Sequence, residues 1–544
     1  MQVTVRLGEP FWRQVNAREV TVELQSGATV GLLLEELARV YPDLKQALQD
    51  EELPPIVFLG DEMAAPDSPL SDGARFNVSA KSPQTPGLGD SNCGGLSTPE
   101  AQEQLRARHG PGTVAAVIGP AGENLVRMSG VMIGPKNTAG RTGMGAVTGS
   151  KKLKAIVARG GARLQAADPA AMRQARIEQT QYLQRSGVVK VLGKLGTPFL
   201  YDVSNRLGAI RARNSQDNFS ADSLNAEHIE AYSEKMLACT SCVVHCRHNN
   251  KLGGEGPEYS TVGLLGANLG IASPEHVIRL NNLVNELGMD ASSTGTIIAW
   301  AMELYQRGLI DDRQDFGAVP AESTQARHQL PARAVDYLIA VKDLPQSDPH
   351  DVRYIKSFAL GIAVASRGAD HLRNRPTLDI LRLPDDARRA IFGFETGGDP
   401  TAYEGKARMV AWHDDIYAVA DCLGICRFVT HGFNSPQLLG YEQFADLIQA
   451  ASGLQLTKDE IREVGRRVVD LERWLNLQFS RTRADDTLPK RYFDDPMPAR
   501  ATKGHRIERQ PFEAMLDEYY PARGWDEQGQ LCPERAAELE RYLQ

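Results

Sequence analysis

No apolar run in this chain of 544 residues approaches the roughly 20 residues of a membrane span, so nothing in it reads as integral to a bilayer. A basic surplus is also missing. Lys plus Arg number 61 against 69 Asp plus Glu, a formal net charge of −8, which argues against nucleic acid as the default partner. Met1 to Pro10 has no basic segment leading into an apolar one, so no secretory signal is visible and a cytoplasmic address is the simplest expectation. Cysteine is scarce and uneven: of seven, five fall in two tight groups, Cys239, Cys242 and Cys246, then Cys422 and Cys426, while Cys93 and Cys532 stand apart. In a reducing compartment, clustered thiols point to metal or redox work more than to disulfides. With 42% hydrophobic and 24% charged residues, wholesale disorder is excluded, and the length allows three or four domains.

The first 74 residues read as a small domain of their own. Val3, Val5 and Leu7 alternate with polar residues, as do Val20, Val22 and Leu24, predicting two strands. Thr29 is placed to cap a helix with Val30, Leu33, Leu34, Leu37 and Val40 on its apolar face, ended by Tyr41-Pro42; Pro55 to Gly60 supplies another strand. Strand, strand, helix, strand is a β-grasp pattern. From there to about Gly160 the chain is glycine-rich, and mostly helical sequence follows. Ser273 and Pro274 open a helix stopped at Gly288, Asp290 starts a loop, and another helix runs around Ile297 to Leu304. Thr457-x-x-Glu460 is a capping box ahead of Ile461, Val464, Val468, Leu471 and Leu475, and residues 312–333 read as a surface excursion.

Cys239-x2-Cys242-x3-Cys246, with Cys426 180 residues further on, suits a [4Fe–4S] cluster held by four thiolates. Zinc is the main alternative, since thiolates suit it and His245 and His248 lie close by; unrelated core cysteines are the third reading.

Longer stretches carry a resemblance. "IGPAGENLVR" (118–127), "AGRTGMGAVTGSKKLKAI" (139–156), "ACTSCVVHC" (238–246), "GEGPEYSTVGLLG" (254–266), "RGADHLR" (367–373), "DCLGIC" (421–426) and "DDTLPKRYFDDPMP" (485–498) resemble the tungsten-dependent aldehyde ferredoxin oxidoreductase family, over nearly everything after residue 74. The first segment resembles the ubiquitin-like sulfur carriers of molybdopterin synthesis, without their terminal Gly-Gly; Gly94-Gly95 is internal, so residues 1–74 are expected to be a binding or structural module.

The resemblance implies an α+β architecture: the β-grasp domain (1–74), a shortened β-rich pterin-binding domain (75–160), and two mainly α-helical domains (161–380 and 381–544). It implies a bis-pterin cofactor of tungsten or molybdenum with Mg2+ bridging the pterin phosphates. Arg75, Asn92, Gly94, Thr138 and Gly140 match the phosphate and magnesium contacts, and Asn285, Asp290 and Asp421 the paired pterin motifs, Asn285 replacing the family's leading Asp. Cys239, Cys242, Cys246 and Cys426 match the cluster ligands, with Cys422 a packed bystander. Glu258 matches the family's base, expected as a carboxylate of raised pKa, and His371 the imidazole that orients the carbonyl. "DPHDVRY" stands where many relatives carry Tyr-Asp-Pro-Arg, bringing His350 toward the substrate pocket, and material that completes the β domain is missing after Gly95.

The expected reaction is aldehyde to carboxylic acid, with electrons passing through the cluster to ferredoxin or an iron–sulfur electron-transfer subunit, in a homo- or hetero-oligomer. Two alternatives stand beside it: a family member working on another low-potential substrate, and a non-catalytic cofactor-handling partner. Lys151, Lys152 and Lys154 read as a solvated turn.

Overall fold

The computed structural model describes residues 1–7, 19–48, 56–59, 62–79, 93–134, 137–160, 165–311, 331–376, 383–433 and 437–543, with isolated positions between them. Contacts divide the chain into two compact units. The first holds residues 1–88, 105–115 and 156–161; the second holds 89–104, 116–155 and 162–544. The expected boundary at residue 380 lies inside the second unit.

The first unit contains β1 (Gln2–Leu7), β2 (Glu19–Glu23), α1 (Val30–Val40), β3 (Ile56–Leu59), β4 (Glu62–Met63) and β5 (Arg75–Ser79). Its sheet runs β2-β1-β5-β3-β4, with β1 and β5 parallel and the other pairs antiparallel. Period-two alternation turns Val3, Val5, Leu7, Val20 and Val22 onto one buried face, where Leu33, Leu37 and Phe76 complete the core. Val40, expected on the apolar face of α1, is exposed, and Ala38 is buried in the last turn. Thr29 stands at the N-cap, but its side chain makes no capping bond. β5 begins at Arg75, so the sheet runs past the expected end at residue 74: the central strand joining β1 to β3 lies beyond it.

In the second unit the glycine-rich stretch is a tight knot of backbone. β6 (Val131–Ile133) pairs antiparallel with β7 (Asn137–Ala139) on one edge and with Ala116 and Val117 on the other. A Cβ on Gly145 would fall 2.7 Å from the Gly130 carbonyl oxygen, and one on Gly130 would lie 2.7 Å from Gly140 Cα. These glycines let backbone pack on backbone. Lys154 corrects an expectation. It is buried, not solvated, donating to Leu96 O at 2.8 Å and pairing with Glu123, whose other oxygen accepts from Gly95 N at 2.8 Å. Lys151 and Lys152 are exposed.

The cysteine run 239–246 is the connection between two antiparallel strands, β8 (Ser233–Leu237) and β9 (Arg247–Asn250), with β10 (Gly254–Glu255) completing the sheet. Ser241 and His245 take left-handed φ values of 59° and 54°, turning the loop sharply twice. Then come α2 (Pro274–Leu287) and α3 (Ala291–Gln306). α2 starts and stops as expected: Ser273 Oγ accepts from His276 N, and Gly288 closes the helix at φ 72°. The residues after it do not form the expected loop. Asp290 N-caps α3, accepting from Ser293 N at 2.8 Å, so this helix begins at Ala291. The excursion expected at 312–333 lies mostly outside the described residues; 332–337 is a short 3₁₀ turn.

Four further helices, α4 (Lys356–Val364), α5 (Lys406–Leu423), α6 (Lys458–Gln478) and α7 (Arg509–Arg523), build the largest core, with α5 buried along most of its length. The capping box at Thr457 and Glu460 forms as expected. The buried face of α6 differs from the expected stripe: Val464 and Leu475 are exposed, while Gly465, Val469, Asp470 and Arg473 are buried. A Cβ at 465 would overlap the Asp415 carbonyl, so the missing side chain sets how closely α6 lies on α5. Asp470 and Arg473 are admitted because each is paired, with Arg535 and with Asp486. Among the described residues no helix is long and apolar enough to cross a membrane.

Candidate active site

A cavity of about 410 Å³ in the second unit gathers most of the residues selected from the sequence. Thr138, Gly140, Glu258, Asn285, Asp290 and His371 line it. So do Cys239, Cys246 and Cys426. Segments from six separate parts of the chain thus meet at one place.

Glu258 follows β10 and N-caps a short helical turn, Tyr259–Thr261, that continues as a π turn over Val262–Gly266. Such wide turns recur beside functional sites because they re-aim side chains. Thr197 Oγ1 donates to Glu258 Oε2 and accepts from Tyr259 N at 2.9 Å, so one hydroxyl fixes both the carboxylate and the backbone beside it. His371 Nδ1 lies 2.7 Å from Ser347 Oγ. Burial pushes its pKa down to about 4, more than the nearby Asp348 carboxylate raises it, so the ring is neutral at ordinary pH.

Four arginines, Arg141, Arg247, Arg375 and Arg427, also line the cavity, and the sequence reading selected none of them. Arg141 follows Gly140 within the 139–156 motif. Its guanidinium lies between two buried carboxylates, Asp290 at 3.5 Å and Asp370 at 3.7 Å, and donates to Pro345 O. Its Nε and Nη1 make no hydrogen bond. One cation therefore joins the 138–143 loop, the start of α3 and the residue before His371. Removing one partner of such a buried set costs on the order of 3–5 kcal/mol.

The thiols converge from two directions. Cys242 and Cys246 pack in the same cluster as Leu423, Ile425 and Phe428. Burial, with the nearby Cys246, Cys242 and Cys239, pushes the Cys426 thiol up to about 11. Among the described residues, no three His, Cys, Asp or Glu side chains come together closely enough to hold a single metal ion. His248 is occupied elsewhere, its Nε2 3.0 Å from Leu195 O.

Other selected residues lie away from the cavity. Asp421 is not in its lining; its Oδ2 accepts from Arg373 at 2.9 Å and from Arg427 at 2.6 Å. Gly94 sits in an exposed turn. The side chain of Arg75 and all of Asn92 lie outside the described residues. Cys422, expected to be packed, is exposed; Cys93 is buried and Cys532 exposed. His350, expected toward the substrate pocket, is buried behind its wall and is not a lining residue.

Comparison with known proteins gives a consistent picture. The family model "aldehyde ferredoxin oxidoreductase, N-terminal domain" matches residues 95–160, and "aldehyde ferredoxin oxidoreductase, domains 2 & 3" matches 174–319 and 310–540. The tungsten-containing aldehyde ferredoxin oxidoreductase of Pyrococcus horikoshii is 33% identical over 464 residues, covering 78% of this chain and 73% of the relative. A protein of Pyrococcus furiosus named aliphatic sulfonate oxidoreductase, WOR-like subunit, is 29% identical over 456 residues, 76% of this chain and 68% of its own length. The solved active-site complex BamBC of benzoyl coenzyme A reductase, bound to 1,5-dienoyl-CoA, has a similar fold, with a TM-score of 0.66 at 16% identity over 99% of this chain and 96% of that one. Through its body, from residue 95 onward, the chain belongs to the aldehyde ferredoxin oxidoreductase family and is an oxidoreductase.

Proposed function

We propose that the enzyme oxidises an aldehyde, with water, to a carboxylic acid, releasing two protons and two electrons, and that the electrons leave through a [4Fe–4S] cluster to ferredoxin or a similar carrier. The observation that carries this is the shared cavity, with Glu258 and His371 on the same lining as Cys239, Cys246 and Cys426.

The residues present fit the cofactors implied by the family. Three thiols from one loop and a fourth from a distant segment suit a cubane, which takes one thiolate at each iron. Cys239, Cys242, Cys246 and Cys426 would hold that cluster. Gly140 lets the Thr138 and Asp290 side chains close over its α-carbon, where a Cβ would lie 3.0 Å from Thr138 Cγ2 and 3.5 Å from Asp290 Oδ1, and the Arg141 guanidinium on the same lining has the charge to pair with phosphate oxygens. These residues, with Asn285, would hold a pterin phosphate and its Mg2+. When bound, a tungsten or molybdenum pterin supplies the two-electron acceptor that the side chains lack.

The chain's own groups do the rest. Glu258, oriented by Thr197, accepts the proton lost as water adds to the carbonyl. His371 Nδ1 is hydrogen-bonded to Ser347 Oγ at 2.7 Å, which fixes the ring with Nε2 toward the cavity; the tautomer with its proton on Nε2 would hydrogen-bond the carbonyl oxygen. Tyr259, Tyr417, Phe428 and Phe433 give the cavity an apolar side against which an aldehyde's hydrocarbon part can lie.

The likeness to a protein named for aliphatic sulfonates favours a second reading, another substrate oxidised at the same residues. Aldehyde-dependent viologen reduction tests the first directly. It should proceed in the intact protein and fall at least about 100-fold in Glu258→Gln, the scale of general acid–base work. Viologen reduction with a sulfonate and none with any aldehyde would select the second.

A further inference from the structure

Behind the Glu258–Tyr259 wall runs a chain of hydrogen bonds that this chemistry does not use. Tyr259 Oη lies 3.1 Å from Ser204 Oγ, Ser204 Oγ lies 3.0 Å from His350 Nε2, and His350 Nδ1 lies 2.7 Å from Asp348 Oδ1. All four side chains are buried. Arg375 and His350 hold the Asp348 carboxyl below the usual carboxylate range against the opposing effect of burial, so it only accepts. The carboxylate fixes the first bond, with His350 donating from Nδ1; at the other end the Tyr259 hydroxyl donates to Ser204 Oγ, whose own proton is then directed at His350 Nε2. The chain ends on a buried carboxylate, which makes it an anchor and not a route for protons to solvent.

The far end is held firmly. Gln346 Nε2 donates at 3.1 Å to both Asp348 O and His350 O, and the fully buried Arg211 donates to Gln346 O at 3.1 Å. Pro349 sits against the π turn that follows Tyr259: a Cβ on Gly263 would overlap Pro349 Cβ and lie 3.0 Å from its Cγ. The same short strip reaches three lining residues. Ser347 bonds His371, Asp348 Oδ2 faces Arg375 Nε at 3.6 Å, and His350 reaches Tyr259 through Ser204. Tyr259 N, in turn, is bonded to the hydroxyl that holds Glu258.

We infer that His350 is a positioning residue for the reaction: through Ser204 it fixes Tyr259 and hence the Thr197–Glu258 contact, and through Asp348 it fixes the charge facing Arg375 beside His371. The inference rests on the oxidoreductase reading of the cavity for its kinetic consequence, while the anchoring itself is measurable without turnover. It also gives a role to the departure at "DPHDVRY", which the sequence placed toward the substrate pocket.

The test uses the full chain and two variants, Ser204→Ala and His350→Phe, the second keeping the ring against Tyr259 and Phe358. Loss of one buried hydrogen bond in the anchor should lower kcat about 10- to 100-fold, with KM changing less than about threefold because substrate is not touched. Nitrogen-15 NMR of histidine-labelled protein supplies the independent readout. One resonance pair, absent in His350→Phe, should show a protonated Nδ1 and a hydrogen-bonded Nε2 that moves toward the free unprotonated position in Ser204→Ala. A protonated Nε2 on His350, or an Nε2 signal indifferent to Ser204→Ala, overturns the inference. So does a folded Ser204→Ala with kcat within twofold of the parent. A parent that oxidises no aldehyde is a failure of the functional reading alone, and the resonance pair still decides the anchor.

Discussion

Replacing Thr197 by Val keeps the shape of the side chain and removes the one hydroxyl that both holds Glu258 and caps Tyr259 N. Thr197 is 4% exposed, so water cannot take over either bond. The hydrogen bond to a carboxylate is worth about 1.5–3 kcal/mol and the one from a backbone N–H about 1 kcal/mol, so roughly 2.5–4 kcal/mol of folded-state interaction is at stake. The kinetic effect has a separate source, misplacement of the carboxylate: drift of a catalytic group by about 1 Å costs about 100-fold. Paired melting scans and initial-rate measurements on metal-loaded protein check both halves. Thr197→Val should melt several degrees lower and lose about 10- to 100-fold in kcat, while Thr197→Ser, which keeps the hydroxyl, should recover most of both. A Val variant with kcat within twofold of the parent would refute the claim that this hydroxyl sets the carboxylate.

Two further outcomes follow from the same wall. Gly263→Ala must push Pro349 away, and overpacking of this kind costs about 1–3 kcal/mol, so melting temperature and kcat should fall together; a variant unchanged in both contradicts the close seat of Pro349 on the π turn. His371 has its pKa depressed from 6.5 to about 4, so the ring stays neutral as pH falls through 6.5, and its stabilising contribution as a neutral group is lost only as pH drops from 6.5 toward 4. The pH profile of kcat/KM should therefore show no acid limb near 6.5 from this residue; such a limb, abolished in His371→Asn, would contradict the depressed value.

The sequence made the secondary structure and the chemistry legible to different degrees. Alternation in Val3 to Leu7 and Val20 to Leu24, and the caps at Ser273 and Thr457, are local signals, and the elements they predict are present. β5 went unseen because its place is between β1 and β3, a pairing no local pattern announces. The α6 stripe misled because its buried face carries Asp470 and Arg473, whose partners lie 65 and 13 residues away. Glu258, His371 and the cysteines were found through their motifs. The arginines of the cavity were not, because an arginine's role depends on whether distant carboxylates, such as Asp290 and Asp370 for Arg141, meet it. Lys154 was misjudged for the same reason, its partner Glu123 being 31 residues earlier.

Under the proposed function, four thiols from two distant segments hold a cluster beside a pterin-bound metal. Metal and pterin analysis of the intact purified chain, beside Cys426→Ser, tests that most directly. About four irons and one tungsten or molybdenum per chain, with pterin, and loss of the iron in Cys426→Ser, is the predicted result. Zinc in place of iron, or iron that Cys426→Ser leaves untouched, would contradict it.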